Sequence, residues 1–198
     1  MRKSLVGATA LIAGLGLGWT GCAGGASGPG AEAAPGAPEP DDPSYSAYGL
    51  TVDRPEGWAF VPVDASVAPD TVVILQGPVG DAPVAPAVEI SRRPLNARQQ
   101  RRPPSHILTQ LVMEVVQSFD GFEPLGEPEE LEISGTPGAK MLMRFTESLP
   151  DGIEVKRGAR FYGIVHRGNI WVVRCLGSAD GADDLDMDTI VGSIRIES

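Results

Sequence analysis

The chain is poor in the residues that do chemistry. Its 198 residues include two cysteines, Cys22 and Cys175, and two histidines, His106 and His166. There is no G-x-S-x-G elbow, and neither cysteine lies near a plausible base, so nucleophilic catalysis has no sequence support. Basic side chains are also scarce, with 16 Lys and Arg against 26 Asp and Glu and a formal charge of −10. Such a surface makes nucleic acid and bare anionic lipid poor partners. Long apolar runs are missing too. Leu5 to Gly18 is too short to span a bilayer comfortably, and its four glycines weaken it further as a helix.

That run does have a role at the start of the chain. Arg2 and Lys3 precede it, and the small residues Thr20 and Gly21 close it before Cys22, which is the layout of an export signal over residues 1–21. The "WTGC" ending resembles a bacterial lipobox, with Trp19 standing where the family usually has leucine or another aliphatic residue. The resemblance implies cleavage before Cys22 and acylation of its thiol. Each buried methylene contributes about 0.8 kcal/mol, and two or more acyl chains hold a protein stably at a membrane. Ala23 follows the cysteine, and by the sorting rule of enteric bacteria the absence of aspartate there implies the outer membrane, facing the periplasm.

Residues 22–44 then form a Gly, Ala and Pro tract with no apolar periodicity, "AGGASGPGAEAAPGAPEPDDP" at its heart. Such a tract cannot bury enough surface to order itself and is expected to act as a tether. Loss of Arg2 and Lys3 with the signal takes the formal charge from −10 to −12. Acylation of Cys22 would leave Cys175 as the only thiol. No intramolecular disulfide could then form, and the exported domain must rely on its core.

Residues 45–198 read as one folded domain. "YGLTVDRP" alternates Leu50 and Val52 with Thr51 and Asp53, the Pro55, Glu56, Gly57 corner follows, and "WAFVPV" resumes as a strand. "TVVILQG" is apolar on both faces, and "PAVEISRRP" is a further strand. In "SHILTQLVMEVVQSF", Ile107, Leu111, Val115 and Phe119 recur every four residues, flanked by Leu108, Val112 and Val116. This predicts a core-facing amphipathic helix that starts at Pro103, Pro104 and Ser105. "EELEIS", "KMLMRFTES", "VKRGARFYGIVHRG" and "NIWVVRCLGS" predict an antiparallel meander with short bends at "GTPGA", "LPDG" and "HRGN". "ADDLDMDTIVGSI" predicts a short acidic helix and a last extended residue or two. The fold class is therefore α+β: an antiparallel sheet of about six to seven strands covered by helices.

The "YGLTVDRPEGW" stretch, the mid-chain helix, the meander and the closing helix before "GSIRI" together resemble the PsbP-like and DcrB-like superfamily, over most of Tyr45 to Ile196. The resemblance implies a sheet sandwiched by helices and used as a protein-binding module, with few catalytic members. Some relatives attach to photosynthetic membranes, others are bacterial lipoproteins, and one branch binds a small GTPase. No shared catalytic residue set comes with it.

The remaining candidates are few. His106 is expected in the first helical turn and His166 at a hairpin, as unrelated surface residues. Cys175 shares a strand face with Trp171 and Val173, where a thiol behaves as a small buried hydrophobe. Asp184, Asp186 and Asp188 follow D-x-D-x-D, but Thr189 occupies the glycine position of a calcium loop and Arg195 that of its last carboxylate. An acidic first turn facing a helix dipole accounts for them better. "GTPGAK" is a turn rather than a phosphate loop.

"SRRPLNARQQRRPP" gathers Arg92, Arg93, Arg98, Arg101 and Arg102 in an acidic protein, on what reads as a loop. It is either a solvated connection or a docking patch whose guanidinium groups engage acidic protein, polysaccharide or lipid phosphate. The sequence thus predicts a membrane-anchored envelope lipoprotein with a non-catalytic adaptor domain, neither cofactor nor metal, and an envelope protein as partner. The alternative is a carrier of a small ligand or lipid held between sheet and helix.

Overall fold

The computed structural model describes residues 36–64, 66, 68–79, 84–116, 121–149, 152–181 and 184–197. The signal, Cys22, the first part of the tether and Phe119 lie outside the described residues. The strands are β1 (Ser44–Ala47), β2 (Leu50–Asp53), β3 (Ala59–Val61), β4 (Thr71–Gln76), β5 (Ala87–Pro94), β6 (Glu123–Pro124), β7 (Glu129–Ile133), β8 (Thr136–Ser148), β9 (Glu154–His166), β10 (Asn169–Ser178) and β11 (Arg195–Ile196). The helices are α1 (Pro104–Val116) and α2 (Asp184–Ser193), with a 3-10 turn at Gln99–Arg101 before α1.

These elements form the antiparallel α+β architecture that the sequence predicts, in two sheets. The larger has eight strands in the order β3-β4-β5-β10-β9-β8-β6, with β7 also pairing with β8. The smaller has three, β1-β2-β11, and so joins the two ends of the domain. All pairings are antiparallel.

One face of the large sheet carries α1. Leu108 and Val112 pack with Met141, Met143, Phe145 and Phe161, while Ile107 and Leu111 pack with Leu95 and Ile170. The four-residue spacing therefore does face the core. Pro at the first helical position fits the missing donor there, and the Ser105 backbone N–H and hydroxyl both donate to Glu130 on β7, at 3.1 and 2.5 Å. A carboxylate at that end also complements the helix dipole.

The opposite face is covered by α2 and by the small sheet. Tyr45, Leu50 and Val52 from the small sheet and Met187 and Ile190 from α2 bury the apolar row Val173, Cys175, Val88 and Ile90. Strand β10 is thus packed on both sides, as "WVVRCLGS" requires.

The Pro-Glu-Gly-Trp corner lies between the two sheets. It does not fold one strand back on its neighbour: β2 lies in the small sheet and β3 in the large one, paired only with β4. The step carries the chain from one sheet to the other. Gly57 takes φ +82°, and the Trp58 N–H closes a turn onto the Pro55 carbonyl at 3.2 Å. Arg54 fixes the corner by donating to the carbonyls of Asp41, Asp42 and Trp58, each at 2.7 Å. Two-residue hairpins at Tyr48-Gly49, Ser134-Gly135 and Arg167-Gly168 join β1 to β2, β7 to β8 and β9 to β10, with positive φ at both central positions of each. The bend read at "GTPGA" therefore sits one residue earlier, and Thr136 already begins β8.

Trp58 is 2% exposed and is the anchor of this corner. Its indole N–H donates to Asp186 on α2 at 3.3 Å. A Cβ on Gly77 would meet the indole ring at 2.9 Å and Pro86 at 2.7 Å. Gly77→Ala should therefore lower stability by about 1–3 kcal/mol through overpacking. Urea unfolding of the variant against the parent checks this.

Candidate functional site

The face of the large sheet that packs on the small sheet changes character towards one end. Along β5 it presents Val88, Ile90 and then Arg92; along β10, Cys175, Val173, Trp171 and then Asn169; along β9, Tyr162, Ile164 and then His166. The register aligns these rows, with Arg92 opposite Trp171 and His166 opposite Asn169. A core that is apolar for most of its length thus ends in a guanidinium, an imidazole and an amide.

A cavity of about 260 Å³ opens there. The Tyr48-Gly49 hairpin and the Ile196–Glu197 segment wall it from the small sheet, and the Arg167 turn from the large one. The Glu197 N–H donates to the Gly49 carbonyl at 2.8 Å, which fixes those two walls to each other. The Arg92 guanidinium lies over both aromatic rings, 5.1 Å from the centroid of Tyr48 and 5.6 Å from that of Trp171. Cation–π attraction therefore holds it in place. Nε2 of His166 is buried and has no hydrogen-bond partner among the described residues.

The structure divides the predicted arginine group. Arg92 and Arg93 lie on β5, not on a loop, and alternation sends them to opposite faces. Arg93 faces α1, where it pairs with Asp70 at 2.8 Å and Glu114 at 3.8 Å. Arg98, Arg101 and Arg102 surround the 3-10 turn and are exposed, except that Gln100 between them donates to the Leu95 carbonyl at 2.8 Å. Gln100 also lies against Gly168 of the β9–β10 hairpin, so the exposed arginines stand near the Arg92 end of the sheet.

His106 is exposed on α1 and His166 faces the other side of the sheet, so the two histidines are separated, as expected. The surface placement expected of His166 is corrected, because its Nε2 is enclosed. Asp186 and Asp188 lie on α2 and serve different partners: Asp186 accepts from Trp58, and Asp188 accepts from Arg160 at 2.8 Å. Both dock the helix. Sequence reasoning missed the Tyr48, Trp171 and His166 walls. The available signal was the two-residue spacing Val88, Ile90, Arg92, which carries an arginine along an otherwise buried face.

A second cavity, also about 260 Å³, lies between the sheet and α2, lined by Leu142, Met143, Arg160, Cys175 and Met187 among others. Cys175 is fully buried, and burial pushes its thiol up to about 12. Burial likewise raises the neighbouring Tyr162 hydroxyl to about 12, with the charges on Cys175 and Asp188 adding to the effect. A thiol so placed is not a nucleophile near neutral pH.

No family model matches the sequence, and no curated protein matches it by sequence. Solved structures do match. The chain is similar to cyanobacterial PsbP (CyanoP) from Synechocystis, with a TM-score of 0.55 and 16% identity over 77% of this chain and 91% of that one. It is similar to LpqN of Mycobacterium tuberculosis, a protein involved in cell envelope biogenesis, with a TM-score of 0.51 and 14% identity over 80% and 87%. The Ran-binding protein Mog1p of Saccharomyces cerevisiae aligns with a TM-score of 0.50 and 10% identity over 77% and 94%. The fold is PsbP-like.

Two outcomes follow from the buried thiol and phenol. Both groups bind protons more tightly folded than unfolded, so their contribution is intact below about pH 9 and is lost as pH rises towards 12, at up to about 1.4 kcal/mol per pH unit per group. Cys175→Ala should flatten part of the alkaline decline in denaturant midpoint over that window. Iodoacetamide should label Cys175 only once denaturant is added, as mass spectrometry of the peptide would show.

Proposed function

We propose that the chain is an exported lipoprotein, acylated at Cys22 and tethered through residues 22–44, whose PsbP-like domain is a non-catalytic module that binds an envelope protein. The membrane in this reading is the outer one, with the domain in the periplasm. The observation that carries the proposal is the fold, which the chain has in common with an envelope-biogenesis protein and with a Ran-binding protein. The export signal and the lipobox-like "WTGC" support the location. The packing supports the binding role: apolar side chains fill both faces of the sheet, so a macromolecular partner would meet the surface. Arg98, Arg101 and Arg102 offer exposed charge for that meeting in an otherwise acidic protein.

A second reading, a carrier of a small ligand or lipid, is favoured by the cavity between sheet and α2, whose Met143, Met187 and Leu142 walls suit an apolar group. Native mass spectrometry of the purified protein distinguishes the readings, since a carrier would retain ligand mass that organic extraction removes.

Cys22→Ser should move the protein from the membrane to the soluble fraction; equal membrane retention of variant and parent would remove the anchor from the proposal. Replacing Arg98, Arg101 and Arg102 together by alanine should reduce in-cell crosslinking to the partner several-fold while the thermal midpoint stays within a few degrees. An unchanged crosslinking pattern would take the arginine loop out of the binding surface.

A further inference from the structure

The Arg92 cavity holds more donors than acceptors, and among the described residues its one carboxylate, Glu197, makes no ion pair with Arg92. A guanidinium carries five N–H donors in one plane. That of Arg92 is held by the faces of Tyr48 and Trp171, a contact that uses its charge but none of its in-plane hydrogens. Among the described residues it has neither an ion pair nor a side-chain hydrogen bond. Its neighbours on the sheet show how unusual this is: Arg93 pairs with Asp70, Arg174 with Glu89, Arg157 with Glu147 and Arg160 with Asp188. His166 adds a buried Nε2 without a partner in the same cavity. An enclosed polar atom in that state is satisfied by a water or by a ligand group entering the cavity.

We propose that this cavity binds the carboxylate group of a small organic acid, with Arg92 gripping both oxygens and His166 Nε2 completing the site. Planar, bidentate recognition is what a rotationally fixed guanidinium does best. The cavity, at about 260 Å³, lies just below the range of drug-sized pockets, which limits the ligand to a few carbons beyond its carboxylate. Charge narrows the class further. Arg92 and Arg167 face one carboxylate, that of Glu197, so the lining balances a single negative charge better than the two of a phosphate. Glu197 is exposed, and its charge opposes the incoming acid from the rim. The site stands whether or not the domain docks on a protein partner, because its lining comes from the end of the two sheets and not from the exposed arginines of the 3-10 turn.

Full-length protein purified in detergent, titrated with butyrate and with lactate, tests this by calorimetry and by the fluorescence of Trp171 in the cavity wall. Saturable binding is expected. Arg92→Gln should weaken it about tenfold or more, and Arg92→Lys should fail to restore it, since the charge returns without the fork. Glu197→Gln should tighten it several-fold, and this variant removes only the charge of an exposed side chain, so it tests the charge argument without disturbing the packing of Arg92. The absence of saturable binding of either acid overturns the proposal. So does tighter binding of inorganic phosphate than of butyrate, or unchanged affinity in a folded Arg92→Gln protein. Preferential binding of an Asp-rich peptide over both acids would assign the carboxylate to a protein partner and overturn the small-molecule class.

Discussion

Trp58 has to be buried at the point where the chain leaves one sheet for the other, and much of the architecture follows from how that is done. The indole removes on the order of 150–250 Å² from water, a gain of about 4–6 kcal/mol before entropy is counted. It achieves this only because Gly77 leaves room beside it and Asp186 meets its N–H. The corner that delivers it is set by Pro55 and Gly57 and held by the three carbonyls that Arg54 gathers. With Trp58 seated, β3 is committed to the large sheet and β2 to the small one, and the two sheets must face each other. The core that α2 closes lies between them.

Crossing between sheets leaves an end to the shared interior. A hairpin would have stacked β2 and β3 side by side and extended a single surface. Because the chain crosses instead, the small sheet lies over only part of the large one, and the rows on β5, β9 and β10 run on past its cover. Polar side chains occupy those last positions. The same constraint that builds the core therefore produces the Arg92 cavity, whose walls come from both sheets and which neither sheet would form alone.

The sequence made local order legible and left the meeting of distant segments largely hidden. Helix α1 and strands β7 to β10 are readable because their apolar spacing is strong and their connections short. The Arg167-Gly168 hairpin is readable because glycine marks it. Tyr48-Gly49 is less legible despite its glycine, since tyrosine seldom takes a left-handed conformation and its φ of 53° is imposed by the pairing of β1 with β2. "PAVEISRRP" reads as a strand, and β5 does run to Pro94, paired with β10 as far as Asn169, so Arg92 and Arg93 belong to that strand and not to the arginine loop that follows it. Arg92 entered the sequence reading for its charge, in company with arginines that the fold sends elsewhere. What defines its site, two aromatic rings and a histidine drawn from three separate segments, is a tertiary property with no local signature.

Strand β11 has a kinetic consequence. Leu50 and Val52 are buried in the small sheet, but β2 gains its second strand neighbour only from residues 195 and 196, nearly 150 positions later. Closing a loop of that length is slow compared with zipping the β8–β9–β10 ladder, whose turns are short. A folding chain can therefore form its central ladder early, yet it cannot complete its N-terminal layer until residues 195 and 196 have reached β2. Until then β2 has only β1 beside it, so the layer that buries Leu50 and Val52 is the last of the structure to lock.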